Sequence, residues 1–282
     1  MSTPRFIKKA TPVPSISMDV MARLETIFND KQWNIDRTSQ ISLYDRYCNT
    51  LMKFTEEEQQ LLLELTERFL KIDLSEYVGY FEKLLNDIQN DNPGSTLILA
   101  PCIPEEEAGK TKSSSVALYT MKSTHYNHAV KCGIEPSDIK NILPVINQNT
   151  TIVLVDDFIG TGDTALNAIK YAQSILPQGF PIQNIKVMAI VTMETGKIAI
   201  ENIGVRVYSY YINNKGITDN YTGDKLLQAT ELMNSIESKL TKLKPEFRFG
   251  YGMSEALVCM IRCPNNTFPV YWLGKNTAPY ER

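Results

Sequence analysis

Hydrophobic and polar positions along this chain fall into two textures. In the first part, apolar residues recur at helical spacing. Val20, Met21, Leu24 and Phe28 predict one helix over Met18 to Asp30, and Ile41, Leu43, Tyr44, Tyr47, Cys48 and Leu51 mark the face of another. Thr55, followed by Glu56, Glu57 and Glu58, reads as an N-cap with acidic residues at the positive end of a helix. That helix is expected to break near Asp73 or Gly79 and to resume as YFEKLLNDIQ. It stops at Asp91-Asn92-Pro93-Gly94, a strong turn signal. Residues 1–16, with Pro4, Pro12 and Pro14, predict an extended or mobile arm.

Beyond residue 92 the pattern changes to short continuous apolar runs. These are Thr96–Ala100, Thr151–Val155 and Val187–Val191, with the partly alternating Val205–Tyr210 after them. Helical patterns separate the runs at Ser113–Ser123, Thr164–Ile175, Lys197–Asn202 and Asp224–Leu243. Unbroken β-branched runs joined through helices are the mark of buried parallel strands with crossover helices. The expected fold is therefore α/β, with a mainly parallel twisted sheet. An arm and helical region over residues 1–92 precede an α/β domain over residues 93–282.

Composition narrows the function classes. Of 282 residues, 43% are hydrophobic and 22% charged, and the net charge is −3. This balance excludes a protein that coats nucleic acid by charge alone, while leaving room for a local basic groove. No apolar run reaches the roughly 18 residues that span a bilayer, so no membrane partner is expected. The basic first residues lack the apolar stretch of a secretion signal. Cys48, Cys102, Cys132, Cys259 and Cys263 form neither a disulfide framework nor a zinc site, and a reducing cytoplasm is the expected location.

Residues 151–172, TIVLVDDFIGTGDTALNAIKYA, carry the clearest chemistry. A buried run ends in Asp156 and Asp157, a loop holds Gly160 and Gly162, and a helix opens near Thr164. Free amides at a helix start, with the helix dipole and the Thr161 and Thr164 hydroxyls, can cradle a phosphate. Two carboxylates just before the cradle would repel a polyphosphate laid over them. A ribose resolves the conflict, because its 2′ and 3′ hydroxyls can donate to the acids while its 5′-phosphate sits in the loop. A plain solvent-facing turn is the bland alternative. A dinucleotide site is another, since residues 160–165 match GxGxxA. That fingerprint, however, follows its strand directly and pairs with an acid about 20 positions later, where this chain has Phe180.

From Val153 to Thr164 the order is apolar strand, Asp-Asp, three residues, Thr-Gly-x-Thr. It resembles the signature of the type I phosphoribosyltransferases, which bind phosphoribosyl pyrophosphate. The resemblance implies that Asp156 and Asp157 hold the ribose hydroxyls as the catalytic pair. It implies that Gly160, Thr161, Gly162, Asp163 and Thr164 bind the 5′-phosphate. The Asp163 carboxylate is expected to turn outward while its amide serves the phosphate. The family also has a pyrophosphate loop after an earlier strand. Here the candidate is residues 105–115, with Lys110, Lys112, Ser113 and Ser114 as ligand-binding residues. Gly109-Lys110-Thr111 is not the end of a Walker A loop, because the earlier glycine would fall on Pro104. A solvated lysine- and serine-rich helix cap is the bland reading of that segment.

His125 and His128, with Lys122 and Lys131, fall where the family often has a mobile loop over the leaving group. A His-x-x-His metal half-site and ordinary surface residues are the alternatives. Residues of about 246–273 are rich in aromatics, glycines and amides, and the family places a hood over the acceptor base outside its core. Phe249, Tyr251, Asn265, Asn266 and Trp272 are the candidate acceptor residues, with core packing and turns as the alternative. The same segment loosely resembles a phosphoribosyltransferase-like branch encoded beside bacterial anti-phage genes.

The resemblance implies displacement of pyrophosphate from C1 of phosphoribosyl pyrophosphate by a nitrogen nucleophile or water, through an oxocarbenium-like transition state, with Mg²⁺ as cofactor. Charge placement then does the catalysis and no nucleophilic side chain is needed. Two other functions stay open. One is an inactive sensor of phosphoribosyl compounds. The other is a defence effector restrained by a protein or nucleic-acid partner. A homo-oligomer is also among the expected assemblies.

Overall fold

The computed structural model describes residues 15–33, 42–107, 110, 112–123, 130–132, 146–274 and 278–280. Helices α1 (Met18–Asp30), α2 (Leu43–Leu51) and α3 (Glu56–Glu67) come first. Each starts at a hydroxyl residue that bonds the helix amides. Ser17 accepts from Val20, and the Ser42–Asp45 and Thr55–Glu58 pairs form reciprocal capping boxes. Strand β1 (Leu70–Lys71) and helix α4 (Leu74–Asp91) follow. The helix that opens at Thr55 thus ends at Glu67, ahead of the expected break, because β1 follows it; α4 opens after Asp73, whose amide donates to the Glu76 carboxylate, and runs on through Gly79.

The remaining elements are β2 (Thr96–Pro101), α5 (Ser113–Thr120), β3 (Val130–Cys132), β4 (Thr150–Ile159), α6 (Asp163–Ile175), β5 (Ile185–Met193), α7 (Glu194–Glu201), β6 (Arg206–Asn213), α8 (Gly223–Ser238) and β7 (Val258–Cys259). One sheet has the order β3-β2-β4-β5-β6 with every pairing parallel. β2, β4 and β5 lack polar alternation because both their faces are covered. Ile98, Ile152, Leu154 and Val187 pack under Ala165, Ile169 and Ala172 of α6. Leu97, Leu99, Val153 and Met188 pack on the other face, against Phe81, Leu84 and Ile88 of α4 and Leu118 of α5. β3 has no apolar run to announce it and is the strand of this sheet that the sequence pattern omits; the short β1 and β7, outside this sheet, are omitted too.

Residue 92 does not divide the packing. α4 belongs to the sheet's core, although it lies within the first 92 residues. Leu24, Phe28, Tyr47 and Phe69 share a third core with Met233 and Ile236 of α8 and with Phe268, Tyr271 and Tyr280. The Phe69 and Tyr280 rings stack at 5.0 Å, and the Tyr47 hydroxyl donates to that of Tyr280 at 3.2 Å. β1 pairs with β7, joining Leu70 to Val258. The two ends of the chain therefore build one subdomain, which lies against the sheet. Among the described residues no helix is long and apolar enough to cross a membrane.

Candidate active site

β4 outlasts its apolar run. It continues through Asp156 and Asp157 to Ile159, pairing Asp156 with Ala189 and Ile159 with Thr192 of β5. Gly160 to Gly162 then turn the chain into α6, with Gly162 at φ +91° as the residue before the helix. The first amides of any helix lack intrahelical partners, and here they open on a cleft of about 230 Å³. Asp156, Phe158, the loop from Gly160 to Thr164, Tyr251, Asn265 and Asn266 line it.

The two acids occupy different surroundings. Asp156 keeps partial solvent access and faces the cleft. Its Oδ1 accepts from the Ser113 hydroxyl at 3.2 Å and from the Asp157 amide at 2.9 Å. Burial and the adjacent Asp157 carboxylate push the Asp156 carboxyl well above the ordinary range. Asp157 is 3% exposed and does not line the cleft. Its Oδ2 accepts from the hydroxyl of Tyr77, a wholly buried residue of α4, at 2.8 Å. That hydroxyl accepts in turn from the Ile261 amide at 3.3 Å.

The loop is closed on itself by Thr161, whose hydroxyl donates to Asp163 Oδ2 at 2.8 Å. The Asp163 carboxylate therefore does not turn away from the loop as expected. A threonine hydroxyl two residues back offers it a donor, and the Asp163 amide meets that same oxygen at 3.4 Å.

The pyrophosphate candidates are spread out. Lys110 is exposed. Lys112 sits before α5 and pairs with Glu107 at 2.6 Å. Ser113 reaches Asp156, whereas Ser114 is buried and faces the core. Neither lysine lines the cleft. Gly109, Thr111, His125, His128 and residues 1–14 lie outside the described residues. Lys122 and Lys131 are exposed.

The hood candidates divide in the same way. Tyr251, Asn265 and Asn266 reach the cleft. Phe249 is buried against Phe268 at 6.1 Å between ring centroids. Trp272 is buried, donates Nε1–H to the Thr267 carbonyl at 2.7 Å, and meets Phe247 edge-on. These two rings belong to packing because the C-terminal segment must cover the helical subdomain as well as the cleft. Gly252, at φ +63°, lies on Thr161: a Cβ there would stand 2.5 Å from Thr161 Cγ2. The C-terminal segment thus rests directly on the Gly160–Thr164 loop.

Tyr77 and Glu237 were not singled out from sequence. Tyr77 looks like one more position on the apolar stripe of α4. Glu237 looks like a polar position on α8, yet it is 1% exposed and accepts the Phe249 amide at 2.8 Å. Among the described residues no group of three His, Cys, Asp or Glu is placed to hold a metal ion.

β4, the middle strand of the parallel sheet, thus delivers Asp156, a glycine loop and a helix start to one cleft. The chain belongs to the PRTase-CE family, whose model matches residues 45–281. That match takes in every described element from α3 onward, which agrees with the type I phosphoribosyltransferase resemblance in its sequence. Solved structures similar to it include the orotate phosphoribosyltransferase of Aeropyrum pernix, at 16% identity and TM-score 0.29, with 49% of this chain and 71% of that chain covered. The orotate phosphoribosyltransferase of Mycobacterium tuberculosis H37Rv in complex with inorganic phosphate is similar at 15% identity and TM-score 0.28, with 46% and 67% covered. No curated protein matches the chain.

Proposed function

We propose that this chain binds phosphoribosyl pyrophosphate or a related ribose 5-phosphate compound at the end of β4, and transfers the phosphoribosyl group to a nitrogen nucleophile or to water. The observation that carries the reading is the junction of Asp156 with the Gly160–Thr164 loop in one cleft. The 5′-phosphate occupies the loop, on the amides that open α6. Asp156 takes a sugar hydroxyl and, in its ionised form, places negative charge near C1 as the bond to pyrophosphate lengthens. Lys110 and Lys112 would serve the departing pyrophosphate, and Lys112 must leave Glu107 to reach it. Tyr251, Asn265 and Asn266 offer an aromatic face and amide groups to an acceptor. Mg²⁺ would arrive on the phosphate oxygens of the ligand, since the described residues form no cage for it.

A second reading is a sensor that binds the ligand without turning it over. Two contacts favour it: Tyr77 holds Asp157 away from the cleft, and Glu107 occupies Lys112. In either case, helices α1 to α3 would receive a protein or nucleic-acid partner of a defence system. The described cysteines are free thiols, which suits a reducing cytoplasm. The test is pyrophosphate release from phosphoribosyl pyrophosphate, with Mg²⁺ and a panel of bases. Turnover lost in Asp156→Asn supports the transferase. Tight binding with no pyrophosphate released supports the sensor, and neither binding nor release contradicts both.

A further inference from the structure

We infer that Tyr77 is a positioning residue that ties Asp157 to the Ile261 amide, so that Asp156 alone of the acid pair reads a sugar hydroxyl of a bound ligand. This deepens the proposed function and rests on it. An adjacent acid pair after a strand suggests two carboxylates working on one diol, but the surroundings here separate them. Asp156 lines the cleft, while Asp157 is 3% exposed and turned to the α4 side. Tyr77 is wholly buried, and its hydroxyl is saturated by donating to Asp157 and accepting from Ile261. Three distant parts of the chain, α4, β4 and the segment after β7, therefore meet at one oxygen.

If Asp157 swung toward the cleft, it would leave a buried phenol without an acceptor, which is costly in a dry core. A ligand whose second hydroxyl gained only one hydrogen bond from Asp157 has no surplus to offset that loss. Asp156 needs no such movement. Its present donors are the Ser113 hydroxyl and its own strand's backbone, and Ser113 is exposed. Both donors fall on Oδ1, which leaves Oδ2 for the ligand, so the site discriminates at one hydroxyl of the sugar and tolerates loss of the other.

The experiment is calorimetric titration of the full chain with ribose 5-phosphate and with its 2-deoxy and 3-deoxy analogues. It compares wild type, Asp156→Asn, Asp157→Asn and Tyr77→Phe. We expect wild type to lose about tenfold or more in affinity for one analogue and less than about threefold for the other, the scale of one charged hydrogen bond. Asp157→Asn should keep both the affinity and this selectivity within about threefold, whereas Asp156→Asn loses them. Tyr77→Phe frees Asp157 and should change the ratio between the analogues by about fivefold or more. Equal losses for both analogues, with Asp157→Asn as damaging as Asp156→Asn, would overturn the inference while leaving the proposed function standing. A Tyr77→Phe protein of lower melting temperature but unchanged selectivity would show a merely structural tyrosine, again overturning it. No binding of ribose 5-phosphate by wild type contradicts the proposed function and removes this inference with it.

Discussion

Asn266 fills the space that a side chain on Gly160 would need: a Cβ there would lie 2.2 Å from Asn266 Nδ2. The start of the Gly160–Thr164 loop and the C-terminal segment are thus fitted to each other without a gap. Gly160→Ala should lower the melting temperature and weaken ribose 5-phosphate binding, because either the loop or Asn266 must move. Asn266→Ala removes each of the atoms that a new Cβ would strike. The double variant should therefore recover stability relative to the sum of the single changes, by about 1 kcal/mol or more in a double-mutant cycle. Additive losses would show that the two residues are not in contact.

Glu237 supplies a pH dependence of stability. Burial raises its carboxyl from 4.5 to about 7, against the opposing pull of the Phe249 amide and of Arg248, whose Nε stands 3.6 Å from Oε2. An acid whose folded pKa exceeds its unfolded value stabilises the fold below the unfolded value and loses that contribution as pH rises through the folded one. Stability should fall by about 3 kcal/mol at most as pH rises through the window from 4.5 to about 7. Glu237→Gln keeps an acceptor for Phe249 and should flatten this part of the profile, with a higher melting temperature at pH 8. Urea denaturation of both proteins across that range is the check. Parallel profiles would contradict the assignment.

The amphipathic faces of α1 to α4, the buried strands β2, β4, β5 and β6, and the loop from Asp156 to Thr164 were legible in the sequence, because periodicity and glycine chemistry are local signals. Capping residues marked the helix starts for the same reason, as at Thr55 and Glu58. What escaped was set by distant partners. Nothing around Tyr77 shows that its hydroxyl meets Asp157, eighty residues away in the chain. The aromatic richness of the C-terminal segment was visible, but its division between cleft and core was not. Tyr251 faces the loop and Trp272 the helical subdomain because the two ends of the chain share one core. Lys112 stands in the sequence as a pyrophosphate candidate, and the Glu107 that pairs with it lies only five residues earlier.

That ion pair bears on ligand affinity. Both partners are about one-third exposed, where such pairs contribute less than about 1 kcal/mol. Glu107→Gln should release Lys112 and tighten inorganic pyrophosphate binding by about two- to fivefold, and Lys112→Ala should weaken it. Calorimetric titration with pyrophosphate reads both. An unchanged affinity in the two variants would remove Lys112 from the leaving-group side of the site.

The central claim is that a phosphorylated ribose lies across the end of β4, with its phosphate on the loop that opens α6. Amide chemical shifts of the isotope-labelled chain, followed during titration with ribose 5-phosphate, test it most directly. The account predicts saturable shifts at Thr161, Gly162, Asp163 and Thr164, abolished in Asp156→Asn at the same ligand concentration. Shifts confined to other parts of the chain, with these four amides unmoved, would contradict it.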